Sequence, residues 1–172
     1  MVIFGVDPGT ARMGWAVIES EKGKLLARTY GCLTTPKESP PEKRLASLHK
    51  ELRSLIKTHK PNFVSVEDLF FATNAKTAIS VGQARGIILL AAAQLNIRVA
   101  SYSPLAIKRM ICGIGNADKK LVQKAITKLF HLREVPKPDD CADALAVALA
   151  HVYVLNGEHQ QTKPVKKKAK KS

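Results

Sequence analysis

Asp7, Glu67, Asp140 and Asp143 are the residues whose type and placement could do chemistry. Asp7 ends the apolar run Val2, Ile3, Phe4, Gly5, Val6 and is followed by Pro8 and Gly9. Glu67 ends a second apolar run at 63–66, and Asp140 and Asp143 stand three apart where a third begins. That spacing puts the last two on one face of a helix. Taken singly, each acid has an ordinary explanation. Asp7 suits a turn, Glu67 a solvated strand end, and Asp140 or its neighbour Asp139 a helix N-cap favoured by the helix dipole. Together they suggest more, because a chain with 28 Lys and Arg against 14 Asp and Glu spares few acids for the ends of apolar strands. Carboxylates gathered in a partly buried place repel one another and hold their protons unless a cation neutralises them. An all-oxygen set suits hard Mg²⁺, with Mn²⁺ as a substitute, whereas zinc would call for His or Cys at ligand spacing. Two such ions about 3.5 to 4 Å apart can activate water and stabilise the leaving 3′-oxygen of an in-line attack on a phosphodiester.

The elements that must position these acids follow from the pattern along the chain. Residues 2–7 read as a buried strand running into a tight turn. Residues 14–19 and 24–33, joined across Glu21, Lys22 and Gly23, complete a three-stranded antiparallel meander. From Pro41 the apolar positions Leu45, Leu48, Leu52, Leu55 and Ile56 recur at helical spacing until Pro61. A strand at 63–66 precedes a long apolar helix at 75–95, on which Gly82 and Gly86 share a face and would let another backbone approach, as at a dimer interface. A strand at 97–101 and helices at 104–112, 118–130 and 140–155 follow. The fold class is therefore α/β: a mixed sheet, three antiparallel strands then alternating α and β, flanked by helices, with ligands gathering at strand ends. Residues 1–155 make one domain. Residues 156–172 form a basic tail with six lysines and little to bury, expected to be disordered.

A formal net charge of +14 points to a polyanionic partner, nucleic acid or an anionic membrane. The longest apolar stretch, 86–93, is far short of a membrane span and the N-terminus has no signal-like pattern, so the expectation is a soluble cytoplasmic protein with no membrane partner. Cys32, Cys112 and Cys141 are odd in number and contain no C-x-x-C pair, which argues against a disulfide framework or a zinc site.

Five fragments in register carry a family resemblance: Gly5-Val6-Asp7-Pro8-Gly9-Thr10 with Gly14; Val66-Glu67-Asp68-Leu69-Phe70; Gly82-Gln83-Ala84-Arg85-Gly86; Gly113-Ile114-Gly115; and Asp140-Cys141-Ala142-Asp143-Ala144-Leu145-Ala146. Over about residues 1–155 the chain resembles the RuvC family of crossover (Holliday) junction endodeoxyribonucleases. The resemblance implies an RNase H-like fold, a homodimer, and a catalytic and metal-binding quartet of Asp7, Glu67, Asp140 and Asp143 holding two Mg²⁺ per site. It leaves Asp139 as the neighbour that does not ligate and caps the helix. It places Phe70 as a base-stacking side chain at the crossover, with Phe71 packed inward, and Lys108 and Lys119 as contacts to the DNA backbone near the scissile phosphate. The implied activity is resolution of four-way junction DNA by symmetric paired nicks, in recombination and repair. A branch-migration complex of the RuvA and RuvB type is the implied partner. The Lys-rich tail lies outside the shared pattern, with non-specific phosphate binding as its simplest role. Other readings are a nuclease of the same fold acting on RNA or nicked duplexes, a junction-binding protein that does not cut, and an actin-like ATP-binding phosphotransferase. The last is suggested by Asp7-Pro8-Gly9-Thr10 but lacks room for a second lobe in 172 residues.

Overall fold

The structure, a computed structural model, describes residues 1–68 and 75–157, with the side chains of 75–77 excepted. Five strands form one sheet in the order β3-β2-β1-β4-β5: β1 (Val2–Asp7), β2 (Arg12–Glu21), β3 (Lys24–Thr34), β4 (Phe63–Glu67) and β5 (Arg98–Tyr102). The first three strands are an antiparallel meander, and β4 and β5 extend the sheet from β1 in parallel. The β2–β3 hairpin is tighter than the expected three-residue link. Only Lys22 and Gly23 separate the strands, both at positive φ, the combination that matches a two-residue turn to strand twist.

Strand alternation assigns each side chain to one of two cores. On one face, Phe4, Val6, Met13, Val17, Val64 and Val66 pack with α1 (Pro41–His59) and α2 (Ala75–Gln94). On the other, Ile3, Ala16 and Ile18 pack with α5 (Asp139–Leu155), which is itself braced by α3 (Pro104–Cys112) and α4 (Lys119–Leu129). Helix α1 is amphipathic and buries Leu48, Leu52 and Ile56 at four-residue intervals. Helix α5 buries all but one residue between Cys141 and Val152, the exception being Asp143, because it lies across the sheet with α3 and α4 against its other sides.

Helices α3 and α4 start on side-chain caps. Ser103 accepts from the Ala106 N–H at 3.2 Å, and Asp118 from the Leu121 N–H at 2.7 Å. The start of α5 corrects an expectation. Pro138 is its N-cap and makes no side-chain cap, so neither Asp139 nor Asp140 caps the helix. Both carboxylates are instead drawn sideways to cations from other elements, described below. Phe70, Phe71 and the Lys-rich tail from 158 onward lie outside the described residues. Among the described residues, no helix is long and apolar enough to cross a membrane.

Candidate active site at the ends of β1 and β4

Period-two alternation fixes where the first two acids point. Ile3, Gly5 and Asp7 share the β1 face that looks at α5, and Phe63, Ser65 and Glu67 share the same face of β4. The parallel register pairs Gly5 with Ser65 and Val6 with Val66, so Asp7 and Glu67 end adjacent strands side by side.

Small residues then let α5 descend onto that face. A Cβ on Gly5 would strike the Ala144 carbonyl oxygen and lie 2.7 Å from Ala148 Cβ. A Cβ on Gly14, the β2 partner of Asp7, would strike the Asp140 carbonyl oxygen and lie 3.0 Å from Asp140 Cβ. On the far side, the Ser65 hydroxyl donates to the Val147 carbonyl at 2.9 Å in a buried hydrogen bond. Gly14, Gly5 and Ser65 thus form a track under α5, and the helix start delivers Asp140 and Asp143 over the strand end that holds Asp7 and Glu67. Any side chain larger than a hydrogen at either glycine would lift the helix from the sheet.

The electrostatics match that convergence. Burial, reinforced by Glu67, Asp143 and Asp140, pushes Asp7 up to about 8. Burial and then Asp143 push Glu67 up to about 7, against the opposing pull of Lys108 and Lys119. Asp143 is also raised, mainly by burial, although a hydrogen bond from Lys119 works the other way. Four acids on three separated segments act on one another through a partly dry space, a crowding that a bound cation would relieve.

Two basic side chains occupy the rim. Lys119 Nζ lies 2.5 Å from Asp139 Oδ2 and 3.0 Å from Asp143 Oδ2. Burial alone would lower the Lys119 ammonium, but the bonds to Asp139 and Asp143 outweigh it and hold the charge in place. Arg12 Nε approaches Asp140 Oδ2 at 3.3 Å, and its Nη2 lies 3.7 Å from Asp139 Oδ1. The Asp140 oxygen is nevertheless buried without an aligned hydrogen-bond donor. Lys108, Lys119, Glu67 and Asp143 together line a cleft of about 200 Å³ floored by Ile107, Val122, Ala146 and Val147.

Most of the expected site is therefore brought together: Asp7, Glu67, Asp140 and Asp143 interact, and Lys108 and Lys119 stand at the same cleft. Lys119 is engaged by two carboxylates rather than held free for a phosphate. Sequence reasoning misses Arg12, since nothing in its neighbourhood along the chain distinguishes it from a solvated turn residue.

The donor set fits a hard divalent ion: carboxylate oxygens only, mutually repelling, one of them buried and unaligned with any donor. Among the described residues, no group of three or more His, Cys, Asp or Glu side chains is placed so that it could hold a metal ion as it stands, and Lys119 is bonded to one of the acids.

A family profile described as "Crossover junction endodeoxyribonuclease RuvC" matches residues 3–151. The chain belongs to the RuvC family. A crossover junction endodeoxyribonuclease RuvC of Desulfitobacterium hafniense is 48% identical over 156 residues, covering 91% of this chain and 94% of the relative. The Thermus thermophilus RuvC structure superposes with a TM-score of 0.83 at 34% identity, covering 91% of this chain and 97% of that one. A T. thermophilus RuvC in complex with Holliday junction substrate gives 0.82 at 30% identity over the same shares. The fold is accordingly the RNase H-like fold of RuvC, and the family is one of hydrolases that cut DNA at crossovers.

Proposed function

We propose that this chain resolves four-way DNA junctions by metal-dependent hydrolysis, with Asp7, Glu67, Asp140 and Asp143 as its metal-holding and catalytic side chains. The supporting observation is that these four acids act on one another at one end of the sheet, with Glu67 and Asp143 lining a cleft beside Lys108 and Lys119. Two Mg²⁺ ions, with Mn²⁺ able to substitute, would supply water activation and stabilisation of the leaving 3′-oxygen. The chain's own groups do the rest. Asp7 and Glu67, fixed at strand ends, give a rigid base; Asp140 and Asp143 close it from α5. Lys108 lines the same cleft and offers its ammonium group to phosphate oxygens of the cut strand; Lys119, paired with Asp139 and Asp143 in this structure, would do the same once bound metal ions neutralised those carboxylates. Water attacks the phosphate in line and leaves 5′-phosphate and 3′-hydroxyl ends, with no covalent enzyme intermediate. Phe70, three residues beyond Glu67, supplies a stacking surface for an unpaired base at the crossover.

The reading includes a homodimer, so that two sites related by a twofold axis nick two strands of the junction symmetrically. Its support is α2, where Ile79 is 73% and Leu90 49% exposed and a Cβ on Gly86 would meet nothing within 4 Å. These positions share a helix face with Gly82, and a second copy of that face would cover them. The Lys-rich tail adds salt-sensitive phosphate binding. A cytoplasmic location and delivery by a branch-migration complex of the RuvA and RuvB type complete the reading.

The experiment compares a synthetic four-way junction with a linear duplex and an RNA–DNA hybrid at equal Mg²⁺. Symmetric nicks confined to the junction are expected. Asp7→Asn and Asp143→Asn should each lose cleavage by more than the roughly 10- to 100-fold typical of removing an outer-shell partner of a metal ligand, while still binding the junction. Normal cleavage by either variant overturns the site assignment.

A further inference from the structure

The strand end that carries Glu67 is gripped from the opposite side of the sheet. Arg85, on α2, places Nη2 2.7 Å from Asp68 Oδ1 and 2.9 Å from Ser101 Oγ, donating to both. Asp68 follows Glu67 directly, and Ser101 is the β5 partner of Val66. The Asp68 N–H donates to the Tyr102 carbonyl at 2.8 Å, one step beyond the ladder that pairs Glu67 with Tyr102. A single guanidinium nitrogen therefore ties the last step of pairing between β4 and β5 to α2. The Arg85 Nε is buried without a hydrogen-bond partner, so among the described residues the guanidinium is held by these two contacts.

Glu67 needs such a grip. Among the described residues no hydrogen bond reaches its carboxylate; Asp7 and Asp143 repel it, and Lys108 and Lys119 pull it without bonding to it. What holds it in the cleft is the backbone at the end of β4, which is only five residues long. Strand ends fray unless tied, and the tie here is charge-assisted, from an Arg85 side chain only 23% exposed to an Asp68 side chain 45% exposed.

We propose that Arg85 is a positioning residue for Glu67: by latching Asp68 and Ser101 it keeps the Glu67 carboxylate aimed at the cleft against the repulsion of its neighbours. The inference rests on the metal site proposed above. It also runs a mechanical link from α2, the helix with the uncovered apolar face, to the site on the other face of the sheet.

The test compares wild type with Arg85→Met, which keeps the reach and loses the donors, and Arg85→Lys, which keeps the charge but cannot present the same planar fork. Mn²⁺ affinity is read by electron paramagnetic resonance on the DNA-free protein, junction affinity without divalent ions by anisotropy, and kcat by single-turnover cleavage. Arg85→Met is expected to lose roughly 10- to 100-fold in Mn²⁺ affinity, with a parallel fall in kcat. Its junction affinity should stay within about twofold, because no phosphate contact is removed. Arg85→Lys should recover part of both losses. A folded Arg85→Met with wild-type Mn²⁺ affinity and kcat overturns the inference alone, whereas a wild-type chain that binds no Mn²⁺ overturns the metal site and the inference with it. If Arg85→Met does not fold, Asp68→Ala and Ser101→Ala cut the same latch from its other end, and unchanged Mn²⁺ affinity in both is the overturning result.

Discussion

The two faces of the sheet are built on opposite terms. Beneath α5 the strands present Gly14, Gly5 and Ser65, and the helix is pressed so close that a single added methyl would strike its backbone. Beneath α1 and α2 the strands present Phe4, Val6, Met13, Val17, Val64 and Val66, an ordinary apolar layer that keeps the helices at side-chain distance. Both faces bury apolar area, but the first also uses backbone contact to place four acids, whereas the second leaves α2 with uncovered apolar residues. Close approach of backbone to backbone gives precision and tolerates nothing, whereas side-chain packing gives stability and tolerates repacking.

The largest effect should come from a methyl placed under α5. Gly14→Ala must displace the backbone at Asp140, so a loss of about 1 to 3 kcal/mol is expected from overpacking alone. Cleavage should fall further than stability, because a displacement of about 1 Å in a reacting group can cost on the order of 100-fold. Denaturant unfolding and single-turnover cleavage measure the two separately. The same change at Gly86, where nothing lies within 4 Å, should stabilise the isolated chain by about 0.5 to 1 kcal/mol through helix propensity. Equal responses at the two glycines would erase the distinction between the faces.

The site-bearing face should also answer to pH when divalent ions are absent. Asp7 at about 8 and Glu67 at about 7 both lie above their unfolded values of 3.8 and 4.5. Between those limits the folded chain holds more protons than the unfolded one. The stability these two groups contribute is therefore fully present below about pH 4 and is lost as pH rises toward 8. Each such group changes stability by up to about 1.4 kcal/mol per pH unit, less where their titrations share one proton. Thermal midpoints from pH 5 to 8 in chelator should therefore slope downward. Saturating Mg²⁺ should flatten the slope, and Asp7→Asn should both flatten it and raise the midpoint at pH 8. A midpoint independent of pH in chelator would mean that the carboxylates are not crowded as the structure has them.

Much of this is legible in the sequence, and what is not has a common cause. The meander, the two parallel strands and every helix follow from local periodicity and punctuation, and the acids betray themselves by ending apolar runs. The packing track does not. Gly5, Gly14 and Ser65 become one feature only after strand order and register put them side by side, and each alone is an ordinary small residue. Lys119 shows the same limit. The family resemblance implies a phosphate contact for it, and nothing in the sequence announces its ion pairs with Asp139 and Asp143, which span 20 and 24 positions and take Asp139 out of the capping role that its place at a helix start implies. Arg85 stands inside one of the five resembling fragments, yet its partners Asp68 and Ser101 come from two other segments.

The smallest effect on the chain's own stability should come from the other face. Ile79 and Leu90 are exposed and lie eleven residues apart, three helical turns along one stripe of α2. Replacing both by Glu exchanges exposed side chains, so unfolding in denaturant should shift by no more than about 0.5 kcal/mol per substitution. If a second copy covers this stripe, two buried carboxylates per protomer would face their counterparts across a twofold axis, and the dimer should dissociate at concentrations where wild type does not. Sedimentation equilibrium reads that difference directly. Cleavage then separates two roles of the dimer: a monomeric variant that still nicks a junction, but on one strand at a time, shows that each site is complete within its own chain and that the apolar face supplies only the pairing of the cuts. A double variant that keeps the wild-type mass means that the α2 stripe is simply exposed, and the contrast between a finished and an unfinished face of the sheet no longer stands.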